Sequence, residues 1–594
     1  MANDERGWQR FQKMKVNRKT ISRRAKKVEG ATMRHAHKFI VGRWDNIRNV
    51  RRHIITWMVG VALLIAAVGM QMLWFQQSYL ASAPGKGGVY AEAVRGPLAT
   101  LNPLYATTSA ELSASRLIFS SLYLHDTTGN LKGDVATNLK MDETGKTYTV
   151  TLRPDAKWHD GFKLTAKDVV YTVELMKNPA VRSTMSASWK DIEAKAVSEY
   201  TVQFTLPAAY APFSQALTFA ILPQHILEKV DLHSLRENTF SSNPVGSGPF
   251  AFRLQQSIGG NQTKKIVYLD ANKQYYKGQP RLDRFLLTAY DTSDTIATAL
   301  RTGEVNGAVD VPSDVARSID TKRYEILNTP VNNGVYAIFN TTQPNLKSTS
   351  VRSALQLASD TKKLRSQLYG EPKELTLPFI DGQVTSENLP RPAAADTNKA
   401  AELLQADGWI LDGNIRKKEG QSLKIRMVTR KNIEFEKSLE TLAGQWRKIG
   451  VEVEAEVIDP STSNQSFAQQ VLQPRNYDVL IDELSIGADP DVFAYWHSRG
   501  LLNFANYSNA TSDDALASAR VRSEKDLRNV KYVAFAKQWL ADVPAIGLYQ
   551  SNISYVHSKM TRTIGQDQRL ISPIDRYSNI RFWTAEQRQV YKTP

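Results

Sequence analysis

The hydrophobic pattern of this chain changes period several times, and each change marks an element. The longest apolar run is Ile54–Phe75, IITWMVGVALLIAAVGMQMLWF, in which no residue is charged and only Thr56 and Gln71 are clearly polar. As a helix it spans roughly 33 Å, enough for a bilayer core. Trp57 and Trp74 stand near its ends, where amphipathic aromatics favour the membrane interface. Further on, Tyr148, Val150 and Leu152 alternate with threonines, which predicts a half-buried strand, and Tyr200, Val202, Phe204 and Leu206 predict another. Between them Thr165 and Asp168 form a capping-box pair ahead of VVYTVELMK, a helix that stops before Asn178-Pro179. Asn243–Phe250 (NPVGSGPF) holds two Pro and two Gly and reads as a tight turn. Ser293–Thr302 reads as a helix closed by Gly303, with a strand over Gly307–Val311.

The second half carries a strand–helix–strand pattern. Leu423–Val428 reads as a strand. Phe435, Leu439, Leu442, Trp446 and Ile449 recur at spacings of four and three, so they form one helical stripe, which Gly450 ends. Val451, Val453, Ala455 and Val457 then alternate. Such a run implies a parallel crossover. Tyr477–Leu484 is a further strand that enters the loop 485–491, SIGADPD. Open α/β sheets bind ligands beyond the carboxyl ends of their strands, which makes this loop the site expected from first principles. The competing reading is that Asp489 and Asp491 cap a helix over Val492–His497.

Charge divides the chain at the apolar run. Residues 1–52 hold 16 Lys/Arg and 4 Asp/Glu, a net of +12, which leaves +5 of the total +17 for residues 53–594. Positive flanks stay cytoplasmic, so residues 1–52 are expected to be a basic cytoplasmic arm near anionic lipid, 53–75 a transmembrane helix, and the body extracellular or periplasmic. No nucleic-acid motif accompanies the charges, and nucleic acid is not expected as a partner. Ala81-Ser82-Ala83 has the form of a signal-peptidase site, but the apolar run is long, the site lies well beyond it, and Pro84 would follow the cut; an uncleaved anchor is the favoured reading. Residues 76–88 are small and polar and read as a linker. The absence of cysteine excludes disulfides, thiolate chemistry and a lipidated N-terminal Cys, so an exported protein needs another tether.

Catalytic signatures are missing. There is no GxSxG, HExxH, P-loop or GxGxxG. The nine histidines are scattered, and lone ones such as His159 and His497 read as structural. Asp482 and Glu483 are neighbours on a strand, so they point to opposite faces. No catalytic residue, metal site or cofactor is expected.

Several stretches in order carry a family resemblance: LNPLYATTS with RLIFSSLYLHD, LRPDAKWHDGFKLTAKDVVYTVELM, NPVGSGPF, GVYAIFNTT, AAELLQADGW, LAGQWRKIGVEVE and ADPDVFAYWHS. Together they resemble the extracellular solute-binding proteins of family 5, the oligopeptide- and dipeptide-binding components of ABC importers, over roughly Asn102 to Tyr555. The resemblance implies an α/β, two-lobed periplasmic-binding-protein fold of type II behind the transmembrane helix: lobe I over 89–325 with 545–594 returning to it, and lobe II over 326–544. It implies a monomeric receptor that captures a peptide or similar small solute by lobe closure and hands it to an ABC permease. A sensory receptor of the same fold is the runner-up, and an extracellular hydrolase the alternative from another class. The ligand-binding residues it suggests are Tyr105, Thr107 and Thr108 from the early loop, Asn340, and Glu483, Ser485, Ile486 and Asp489 in and before the 485–491 loop. Peptide binders of the family are expected to carry an Asp four residues before the Pro of that loop, on the peptide's amino terminus. Here Ile486 stands there, with Glu483 and Asp489 as the nearby carboxylates.

Overall fold

A computed structural model describes residues 47–259, 264–459, 465–565 and 568–591. Most of the basic arm, residues 1–46, lies outside the described residues. The chain divides into two compact units, Met1–Ala83 with Gln589–Pro594, and Pro84–Arg588.

In the first unit, helix α1 (Ile47–Tyr79) is 33 residues long. Its stretch His53–Trp74 has a mean hydropathy of 2.1 and is exposed along its length, and among the described residues it is the one helix long and apolar enough to cross a membrane. The stretch 76–88, expected as a linker, is ordered over most of its length. α1 continues to Tyr79, and Leu80–Pro84 is a strand. The physical reason is the absence of a breaker: neither Gly nor Pro occurs between Gln76 and Ala83.

The second unit is built on a ten-stranded mixed sheet. Its strands are β1 (Val89–Arg95), β2 (Phe250–Ile258), β3 (Lys264–Ala271), β4 (Arg284–Tyr290), β5 (Gly307–Val309), β6 (Tyr324–Phe339), β7 (Lys424–Arg430), β8 (Glu452–Ile458), β9 (Val479–Ser485) and β10 (Ala545–Ser558), in the spatial order β8-β7-β9-β6-β10-β5-β1-β4-β3-β2. The expected crossover is present: β7 and β8 pair in parallel from Lys424 opposite Glu452 to Arg430 opposite Ile458. The helix between them, Ile433–Arg447, buries Phe435, Leu439, Leu442 and Trp446 and is capped by the Asn432 side chain.

Two long central strands join the lobes. β6 and β10 run antiparallel, with a register break between Pro330 and Gly334, where proline has no N–H for the ladder. On one side of the break, Leu327, Ile553 and Tyr555 enter the core of lobe I with Tyr90, Leu117, Trp158 and Trp583. On the other, Val335, Phe339 and Leu548 enter a core of lobe II with Leu439 and Trp446. A second layer of lobe II packs Tyr336, Trp496 and Trp539 on the opposite face of its sheet.

Lobe I also holds a four-stranded antiparallel sheet that contains both strands expected from alternation, Thr147–Leu152 and Thr201–Thr205. Thr165 and Asp168 form the expected capping box of Ala166–Lys177. The NPVGSGPF turn lies against the end of helix Ser109–Ile118 so closely that a Cβ at Gly246 would strike the Ile118 carbonyl. His159 fastens it. Its Nδ1 accepts from the Gly246 N–H at 3.3 Å and its Nε2 donates to the Gly248 carbonyl at 3.1 Å. Burial lowers the pKa of this imidazole to about 4, so it is neutral and structural.

Candidate functional site

Both lobes and both joining strands wall a cavity of about 970 Å³. β6 and β10 supply Asn328, Asn332, Gln550 and Asn552; lobe I supplies 128–130 and the returning segment 568–571; lobe II supplies 380–383, Asp489 and Arg528. A second cavity of about 550 Å³ has other walls, among them Arg95 and Asp310 from lobe I and Arg430, Glu434 and Glu483 from lobe II.

Asn332 organises the first cavity. Its carbonyl accepts from Ile486 N at 3.0 Å and Gly487 N at 3.1 Å, its side-chain amide donates to the Gly487 carbonyl at 2.8 Å, and its own N–H donates to the Ile571 carbonyl at 3.2 Å. One residue of the joining strand thus fixes the 485–491 loop beside the returning C-terminal segment.

The cavity wall holds a charge pair. Arg528 donates to both oxygens of Asp489, at 2.6 and 2.7 Å, and also to the Tyr532 hydroxyl at 3.0 Å and the Ala519 carbonyl at 3.1 Å. Burial works against the guanidinium charge, but the Asp489 bonds and charge hold its pKa well above the ordinary arginine value. Neither oxygen of Asp489 caps a helix. Asp491 instead faces Phe493 N at 3.4 Å and spends its other oxygen on Arg520, at 3.0 Å, and on the Tyr210 hydroxyl of lobe I, at 3.0 Å. Burial raises the Asp491 pKa and the Arg520 charge counters it. The Ala211 N–H donates to the Arg520 carbonyl at 2.8 Å, so lobe I meets lobe II at two adjacent points.

The expected site residues are scattered by comparison. Asp489 lines the larger cavity, and Ile486 touches its organising residue through the backbone while its side chain, 7 % exposed, enters the lobe II core. Ser485 is exposed and its carbonyl accepts from Tyr495. Glu483 lines the smaller cavity. Although neighbours on a strand, Asp482 and Glu483 both approach Arg430, at 3.2 and 4.0 Å. Asn340 lies within lobe II, with its amide toward the carbonyls of Tyr477 and Arg475 and its oxygen on Asn506 and Thr342. Thr108 is the N-cap of Ser109–Ile118, and Thr107 donates its N–H to Glu111, the other half of that capping box. Tyr105 is buried under Arg236; burial raises its phenol pKa and the guanidinium counters it. These three line neither cavity. Sequence reasoning missed Arg528, Asn332, Gln550, Asn552 and Gln568. Among the described residues no group of three His, Asp or Glu is arranged to hold a metal.

Comparison with known proteins agrees with this architecture. The profile of the bacterial extracellular solute-binding proteins, family 5 Middle, matches residues 130–503. The oligopeptide-binding protein AppA of Bacillus subtilis is 26% identical over 491 residues, 80% of this chain and 88% of AppA. The AppA structure in complex with a nonapeptide superimposes with a TM-score of 0.68 at 25% identity, covering 84% of this chain and 99% of that one. The ABC transporter substrate-binding protein CtaP of Listeria monocytogenes gives a TM-score of 0.72 at 25% identity, with 84% and 99% covered. The fold is a two-lobed α/β one, and this chain belongs to the bacterial extracellular solute-binding proteins of family 5. Its role is to bind a solute.

Proposed function

We propose that the protein is a membrane-anchored receptor that captures peptides between its lobes and delivers them to an ABC permease. The observation that carries this reading is the 970 Å³ cavity, which both lobes and both joining strands wall. Its volume sits at the upper end of the usual range for ligand pockets, roughly 300–1,000 Å³, as a peptide requires. The likeness to AppA, whose structure holds a nonapeptide, supports the ligand class and the importer partnership. Lobe I would comprise 89–325 with 545–594, and lobe II 326–544, except along the joining strands, where Leu327 packs in the lobe I core and Leu548 in that of lobe II. Asp489 would border the ligand, but with both oxygens on Arg528 it does not offer a free carboxylate to a peptide amine, and Ile486 offers none. α1 would anchor the protein uncleaved, with the +12 arm inside and the body outside.

Full-length protein extracted in detergent tests the reading. Mass spectrometry of material released on denaturation should find peptides, and calorimetric titration of the emptied protein should show stoichiometric binding without turnover. Release of a non-peptide solute alone would overturn the ligand class. External protease on intact cells should digest the body and spare a short N-terminal fragment; protection of the whole chain would overturn the topology.

A further inference from the structure

We infer that lobe II carries a second binding site of its own, for a small apolar carboxylate, beneath the segment Leu389–Ala395. A cavity of about 740 Å³ lies there, lined by residues between Gln356 and Ala395 and by Ile546 and Gly547 of β10. Ile546 belongs to a lobe II core, and among the described residues no lobe I residue lines this cavity. Its volume falls within the roughly 300–1,000 Å³ of small-ligand pockets. It shares one wall, Ile380–Gly382, with the cavity between the lobes and is otherwise separate from it. The site therefore stands whatever solute the lobes enclose.

The inner wall is apolar. Leu375, Leu377, Phe379 and Val384 line it, and all four belong to the core layer of Tyr336, Trp496 and Trp539. The rim is charged, and its charges are not equivalent. Asp360 accepts from the Lys363 N–H at 2.9 Å as the cap of helix Thr361–Ser366, and Glu374 accepts from Arg365 at 2.9 Å. Those two carboxylates are spent. The third, Asp381, stands on the shared wall and borders the other cavity as well. Lys362 and Arg391 come from two different segments, the helix and the covering segment. Both are exposed, and neither makes a hydrogen bond or ion pair among the described residues. An apolar wall with two uncommitted cations at its rim fits a molecule that has an apolar body and one carboxylate.

The covering segment supplies the way in. Pro390 and Pro392 have no N–H, and among the described residues no backbone N–H from Arg391 to Ala395 donates a hydrogen bond. The next such bond runs from the Asp396 N–H to the Leu357 carbonyl at 2.8 Å. Leu389, at the other end, packs on the same core layer as the cavity wall. A stretch fastened at its ends and free of ladder bonds between them opens at low cost.

The test titrates full-length protein calorimetrically with 3-phenylpropionate and with 3-phenylpropanamide, its uncharged counterpart. Wild-type protein should bind the carboxylate at a single site, and the amide at least about tenfold more weakly. Lys362→Met and Arg391→Met should each weaken the carboxylate about fivefold and leave the amide unchanged. Ala394→Trp sets an indole on the covering segment at the cavity and should weaken both probes. Melting temperatures report that each variant folds. Failure of wild-type protein to bind the carboxylate, or equal binding of the two probes, would overturn the site. So would folded Lys362→Met, Arg391→Met and Ala394→Trp variants that bind the carboxylate as tightly as wild type, since the probe would then sit elsewhere.

Discussion

Two arginine–carboxylate pairs hold opposite kinds of place in this body. Glu92 and Arg576 sit in lobe I with 0% of either side chain exposed; Asp489 and Arg528 sit on the cavity wall of lobe II with 16% and 14% exposed. The first pair is saturated. Arg576 donates to Glu92 at 2.7 Å, to Ser113 at 2.8 Å, to the Tyr577 hydroxyl at 2.6 Å and to the Pro573 carbonyl at 2.8 Å, while Tyr555 donates to the other Glu92 oxygen at 2.9 Å. It ties the first strand of the body to the returning segment, 484 residues later. The second pair is local, 39 residues apart, and faces a cavity rather than a core. A dry ion pair stands only when every remaining donor and acceptor is matched, whereas one at a cavity is relieved by solvent or ligand. The former fastens the chain, and the latter shapes a wall.

The largest effect should come from breaking the dry pair. Arg576→Ala leaves a buried Glu92 without its counter-charge, and the loss should be about 3–5 kcal/mol. Calorimetric melting of the variant checks it; a loss under 1 kcal/mol would mean that the tyrosine hydroxyls alone hold the carboxylate.

Asp489→Ala should cost less, about 2–3 kcal/mol, because the stranded Arg528 lies beside a cavity that water reaches. The double variant Asp489→Leu with Arg528→Met should recover much of that loss. An affinity defect that persists in the double variant would assign Asp489 a direct ligand contact, and recovery of affinity together with stability would assign it to the wall.

His159 is the uncharged counterpart, a half-buried titratable group hydrogen-bonded to the backbone of Gly246 and Gly248. Its folded pKa of about 4 lies below the ordinary value of 6.5, so below pH 6.5 the unfolded chain binds a proton that the folded one refuses. Its contribution is complete above that pH and falls as the pH drops toward 4, by about 2 kcal/mol between pH 7 and pH 5. His159→Gln should flatten that part of the stability–pH curve, and an unchanged slope would place the titration elsewhere.

What the sequence disclosed follows the same division between local and distant. The stripe Phe435–Trp446, the alternation Thr147–Leu152 and the Thr165–Asp168 box each depend on neighbours within a few residues, so periodicity exposes them. The family motifs likewise indicated the two-lobed fold. The cavity depends on pairings no window contains: Val331 bridges to Leu570, Asn332 to Ile571, and Asp489 meets an arginine inside the helix Lys525–Asp542. Nothing local distinguishes Arg528 from the other charges of that helix. Thr108 shows the converse. The family resemblance suggested it as a ligand contact, and in the structure it forms a capping box with Glu111.

The smallest expected effect concerns the junction between the lobes. Tyr210 reaches Asp491 at 3.0 Å, and Arg520 lies between the Tyr210 ring, 4.9 Å from its centroid, and the Phe493 ring, at 4.3 Å. Burial, then the Asp491 charge, suppress ionisation of this phenol, so it acts as a neutral donor. Tyr210→Phe keeps the ring under the guanidinium and removes only the donor, a change of about 1 kcal/mol. Asp491 retains Arg520, so thermal stability should hardly move. The whole difference falls on the arrangement in which the lobes touch, since the bond does not exist once they separate. A change of that size alters the ratio of closed to open molecules about fivefold. Small-angle scattering of the ligand-free variant should therefore report a larger radius of gyration at an unchanged melting temperature. An unchanged radius with a lowered melting temperature would make the contact part of the lobe I core instead of a latch.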